Sequence, residues 1–148
     1  MNKRRTARSS KRAPGTDDVM WSLVGAARAV ESCLEEALAK VEMSGPKLIA
    51  LTHLVEADEP VPLGELASQC ACVRSNITQL VDRLEADKLV RRVDDPADRR
   101  SLRAAITPLG RERQAAGARK VAEVRRKFGK ALGAIDHAAL RRALSALQ

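Results

Sequence analysis

Apolar residues return every three or four positions along most of this chain, the spacing of helices that each bury one face. Met20, Leu23, Val24, Ala27, Val30, Leu34, Leu38 and Val41 mark the first stripe and predict a helix from Asp18 to about Val41. Asp17 or Asp18 caps its start. Ser44, Gly45 and Pro46 read as an N-cap with proline in the first turn, and Leu48, Ile49, Leu51, Leu54 and Val55 carry a second helix onward. Asp58–Pro62, with two prolines, is a break. Two short helical patterns follow: Leu63–Gln69, with Leu63, Leu66 and Ala67 inward, and Val73–Asp87, with Ile77, Leu80, Val81 and Leu84 inward.

The period then changes. Leu89–Val93 and Leu102–Ile106 are short and strand-like, and they flank the polar, proline-containing tip Asp94–Ser101, so a β-hairpin is predicted. Thr107 and Pro108 form an N-cap followed by proline at the first helical position. A long helix runs from there to about Leu132, apolar at Leu109, Ala116, Val121, Val124 and Phe128, with Gly133 as its stop. Asp136 caps a last helix with Leu140, Leu144 and Leu147 on one side. About three residues separate the two short helices, the spacing of a helix-turn-helix, and the hairpin behind them supplies a wing. The expected fold is mainly α with a small β wing.

Residues 66–85 (LASQCACVRSNITQLVDRLE) resemble the recognition module of MarR-family regulators, and 95–110 (DPADRRSLRAAITPLG) is similar to that family's wing motif. The motif has an aspartate and an arginine two residues apart at the wing tip, an apolar strand, then Thr, a spacer pair and Gly; here these are Asp98, Arg100, Ile106, Thr107 and Gly110. The resemblance covers about residues 18–148. Two positions depart from it: Ala71 stands where the turn usually holds glycine, and Val73 where serine commonly caps the recognition helix.

The resemblance implies a DNA-binding transcriptional regulator, repression being the family's commoner mode. An α-helix fits the major groove, where base edges present distinguishable donors and acceptors. With the apolar face turned inward, Arg74, Ser75, Asn76, Thr78, Gln79 and Arg83 are the candidate major-groove residues. Arginine suits guanine, and Asn and Gln suit adenine. Arg99 and Arg100 lie on a hairpin narrow enough for a minor groove, whose negative potential favours arginine. By resemblance Arg100 is the minor-groove residue and Asp98 the carboxylate that orients it or a neighbouring arginine. The first and last helices carry apolar stripes that a winged domain cannot cover alone, so a homodimer reading an inverted repeat of double-stranded operator DNA is expected. The chain then divides into a basic tail (1–16), an N-terminal dimerisation helix (17–43), a winged helix-turn-helix region (44–107) and C-terminal dimerisation helices (108–148).

Charge sharpens this picture once it is partitioned. The net +8 is spread unevenly: residues 1–15 hold six bases and no acid, residues 16–62 three bases against nine acids, and residues 108–148 ten bases against three acids. A polyanion partner fits the excess, and the acidic and basic segments can pair across a dimer interface. The tail has almost no apolar content and reads either as a solubilising extension or as a DNA-tracking arm. No apolar run reaches the ~20 residues of a membrane span, so a cytoplasmic protein is expected.

Cys70-Ala-Cys72 admits more than one reading. The pair is a candidate redox sensor. The family pattern instead places both positions inward in the turn, where cysteine packs as a small hydrophobe. Metal is not expected: two cysteines supply too few ligands, and the only histidines, His53 and His137, are remote in sequence. Cys33, between Val30 and Leu34, reads as core or interface, and without any tyrosine the tyrosine-partnered peroxide chemistry of some family members has no support. MarR-like proteins commonly bind small aromatic or phenolic effectors; Met20, Trp21, Leu23, His53 and Phe128 are the candidate pocket residues, with plain core as the alternative. No cofactor is implied, and no Gly-rich phosphate loop, HExxH or oriented Ser/His/Asp set suggests an enzyme. A winged-helix module binding an acidic protein partner is the competing class. RNA reading lacks its stacking aromatics, since the one Trp and one Phe lie outside the winged segment.

Overall fold

A computed structural model describes residues 15–70, 74–96, 98 and 101–147, with backbone only at Thr16, Arg74 and Ser75. The elements run α1 (Thr16–Ala39), α2 (Gly45–Ala57), β1 (Val61–Pro62), α3 (Leu63–Gln69), α4 (Arg74–Ala86), β2 (Val90–Asp94), β3 (Leu102–Ile106), α5 (Pro108–Ala131) and α6 (His137–Ser145). The chain divides into two units, one ending at Ser32 and one from Cys33 onward. In the first, every described side chain is exposed or half-exposed, Trp21 at 67% among them.

In the second unit Leu38, Met43, Leu51, Leu54, Leu66, Ile77, Val81, Leu84 and Val90 build one core from the end of α1, from α2, α3 and α4, and from the sheet. Ile77, Leu80, Val81 and Leu84 are all buried, as the periodicity of α4 predicts. Thr107 caps α5 as expected: its Oγ1 accepts from Gly110 N–H at 3.0 Å and donates to the carbonyls of Lys88 and Leu89. Asp136 caps α6, accepting from the N–H groups of Ala138 and Ala139.

The structure corrects several local expectations. Val61 and Pro62 are not merely a break; they pair antiparallel with Ala104 and Arg103, giving a three-stranded sheet of order β1-β3-β2. Proline is tolerated there because it sits on an edge strand. Ser44 occupies the N-cap of α2 in an extended conformation, yet its side chain makes no capping bond. Pro46 in that first turn already removes one N–H that would need a partner. Gly133 does not end α5 in the left-handed region; the helix closes at Leu132, whose N–H donates to Phe128 C=O at 2.9 Å. Among the described residues no helix is long and apolar enough to cross a membrane.

Candidate nucleic-acid interface

Once α4 buries Ile77, Leu80, Val81 and Leu84, helical geometry sorts its remaining residues into two rows flanking the outward direction. Asn76, Gln79 and Arg83, spaced three and four apart, form one row; Thr78, Asp82 and Glu85 form the other, and all but the half-buried Glu85 are exposed. The second row faces the hairpin. Arg92 of β2 donates through Nη1 to Glu85 Oε2 at 2.6 Å, through Nη2 to Asp82, and through its backbone N–H to Glu85 Oε1 at 3.1 Å. The hydrogen bond to Asp82 foremost, with the one to Glu85, holds the Arg92 guanidinium above its ordinary pKa against the opposing pull of desolvation. Thr78 and Arg92 also line a cleft of about 570 Å³ with Leu63, Ile77 and Leu102, so Thr78 borders the wing rather than standing clear of it.

The hairpin is set by cross-strand register, Val90 opposite Ile106 and Asp94 opposite Leu102. At its far end Asp95 N–H donates to Ser101 C=O at 3.1 Å and Ser101 N–H to Asp98 C=O at 2.8 Å. Asp95 is buried, and its Oδ2 lies 3.0 Å from Arg103 Nε, an ion pair without hydrogen-bond alignment. Arg103 Nη1 donates to Pro60 C=O at 3.2 Å, which ties that end of the hairpin to the segment entering β1. Asp98 is exposed. The predicted tip residues Arg99 and Arg100 lie outside the described residues, as do Ala71, Cys72, Val73 and the side chains of Arg74 and Ser75.

Cys70 is half-buried and packs against the core. The candidate pocket residues are divided between the two units. Met20, Trp21 and Leu23 belong to the N-terminal unit and are exposed rather than core. His53, half-buried on α2, has Nδ1 3.8 Å from Glu56 Oε2. Phe128 lines a shallow apolar recess with Cys33, Lys127 and Ala131, in which His53 has no part. Among the described residues no cluster of three or more His, Cys, Asp or Glu is placed to hold a metal ion.

Arg92, Asp95 and Arg103 did not emerge from the sequence reading. A faint signal exists for each. Asp82 and Glu85 are the two acids of an otherwise neutral or basic helix and need a counter-charge nearby, and Asp95 and Arg103 are diagonal neighbours across the hairpin. That diagonal is legible only when the register is known.

A family model described as MarR family matches residues 42–101, the helix-turn-helix and most of the hairpin. YsmB of Bacillus subtilis (strain 168), an uncharacterized HTH-type transcriptional regulator, is 32% identical over 102 residues, 69% of each chain. The chain belongs to the MarR family. It is a DNA-binding transcriptional regulator built on a winged helix-turn-helix. Among solved MarR-like structures, the transcriptional repressor CouR bound to a 23-mer DNA duplex is similar at a TM-score of 0.77 and 25% identity, covering 93% of this chain and 99% of that one. CouR from Rhodococcus jostii RHA1 bound to p-coumaroyl-CoA is similar at a TM-score of 0.69 and 26% identity, covering 90% and 91%.

Proposed function

We propose that this regulator is an effector-responsive repressor that binds an inverted-repeat operator as a homodimer. In this reading α4 enters the major groove, and Arg99 and Arg100 enter the adjacent minor groove with Asp98 as their orienting carboxylate. The exposed row Asn76, Gln79 and Arg83, carried on a helix locked by four buried apolar residues, is the observation that carries it. Likeness to a repressor bound to a 23-mer DNA duplex supports operator binding by this chain. A second copy is supported by the large apolar side chains left exposed, Val19, Met20 and Trp21 on α1 and Leu144 and Leu147 at the C-terminal end. The proposed division into a tail, dimerisation helices and a winged region follows from that. Likeness to a ligand-bound CouR supports a small-molecule effector, which would act by binding the DNA-competent and incompetent states unequally.

The test is fluorescence anisotropy of the purified protein on duplex DNA from upstream of its own gene, beside a scrambled duplex, with salt titrated. A preference of about 10³-fold or more for the native duplex is expected. Equal and steeply salt-dependent binding to both duplexes would leave only non-specific electrostatics. The interaction-module reading would then take precedence.

A further inference from the structure

α4 carries two carboxylates, Asp82 and Glu85, and both end on one guanidinium. Arg92 is only 21% exposed, and its fork is occupied on both arms while its own backbone N–H holds the second oxygen of Glu85. A third, longer contact runs from Nη2 to Thr78 C=O at 3.5 Å. On the helix Asp82 lies one turn beyond Thr78 and directly before Arg83, so without Arg92 it would point toward whatever α4 binds. A carboxylate there would repel phosphate oxygens, and like charges in contact across an interface are strongly unfavourable.

We infer that Arg92 is a positioning residue of the DNA interface: by taking both carboxylates of α4 onto the wing, it sets the roll of the helix and keeps those charges off the phosphates. This rests on the reading of α4 as the recognition helix. Arg92 differs from a phosphate-binding arginine, whose guanidinium would be free to pair with DNA. A planar fork that meets two carboxylates at once has no equivalent in lysine.

The experiment measures anisotropy of full-length variants on the upstream and scrambled duplexes, with thermal melts alongside. Arg92→Gln is expected to weaken binding to the upstream duplex about 10–100-fold. Adding Asp82→Asn and Glu85→Gln to Arg92→Gln should bring affinity back to within about threefold of the parent, because the repelling charges are gone. A direct phosphate contact predicts otherwise: the salt slope falls by about one and neutralising the acids rescues nothing. That result, or unchanged binding by Arg92→Gln, overturns the inference. Should Arg92→Gln fail to fold, Asp82→Asn/Glu85→Gln with Arg92 intact decides. The freed guanidinium should raise affinity for the scrambled duplex and shrink the native-to-scrambled ratio, and an unchanged ratio overturns the inference. Asn76→Ala/Gln79→Ala is the control for α4 itself. If it leaves the ratio untouched, the recognition-helix reading falls and this inference with it; if it acts while the Arg92 variants do not, only the role of Arg92 falls.

Discussion

Among the described residues, three in the left-handed region close helices, and none is glycine: Glu42 (φ 54°), Asp58 (φ 54°) and Lys88 (φ 61°). At Lys88 the closure is a Schellman motif, with Leu89 N–H donating to Leu84 C=O and Lys88 N–H to Glu85 C=O, while Leu84 and Leu89 are both buried. Lys88→Gly removes left-handed strain of about 1–2 kcal/mol and costs about 0.5–1 kcal/mol of unfolded-chain entropy. A net gain of about 0.5–1 kcal/mol is expected, read as a higher denaturation midpoint with an unchanged m-value. Glu42 and Asp58 differ, because each pairs with an arginine of α5, Arg113 and Arg111, at 2.6 Å. Such exposed pairs are worth about 0–1 kcal/mol, so glycine at 42 or 58 should be near neutral. Gly110 gives the opposite sign. A Cβ there would sit 2.1 Å from Leu89 O, a backbone atom that cannot rotate away. Alanine would improve helix propensity by about 1 kcal/mol, but overpacking costs about 1–3 kcal/mol or more, so Gly110→Ala should lower the melting temperature.

At the scale of elements, the sheet and α4 hold one another by two means of unequal strength. Buried apolar contacts dominate: Leu84 is fully buried, and Leu84→Ala should cost about 2–5 kcal/mol in urea unfolding. The ion pairs of Arg92 add geometry more than stability, since both partner carboxylates are partly in water. Near the turn of the hairpin Asp95 and Arg103 pair with one another, and in the proposed reading it is the tip arginines that meet DNA. Arg100→Ala is accordingly expected to weaken operator binding by about 1–3 kcal/mol with little change in thermal stability. Affinity unchanged at fixed salt would remove Arg100 from the interface.

Across the whole chain, buried apolar residues gather from Leu38 to Ala105, whereas α6 buries nothing and α5 beyond Gly117 buries only Val124 among the described residues. Leu144 and Leu147 nevertheless give the C-terminal end an apolar side. In the proposed homodimer a second copy would cover this surface. Light scattering at micromolar concentration should give a dimer mass. Leu144→Glu/Leu147→Glu should shift it toward monomer and weaken operator binding while leaving the helix-turn-helix folded. A monomer for the parent chain would defeat the homodimer proposal.

Periodicity and caps determined the helices within a residue or two, because Ile77, Leu80, Val81 and Leu84 on α4, Thr107-Pro108 and Asp136 are local signals that need no distant partner. The motif Asp98, Arg100, Thr107 and Gly110 was legible only through the family resemblance, and the reason for Gly110 became physical when Leu89 came to lie against it. Tertiary structure alone decided the rest. Val61 and Pro62 became a strand because β3 offered an edge, and Met20 and Leu23 are exposed although their spacing suited burial. The pairing of Arg92 with Asp82 and Glu85, and of Asp95 with Arg103, depends on sheet register and helix roll. Charges seven to ten residues apart have no fixed distance until a chain folds, and a pattern of apolar positions says which face turns inward but not which charge waits there.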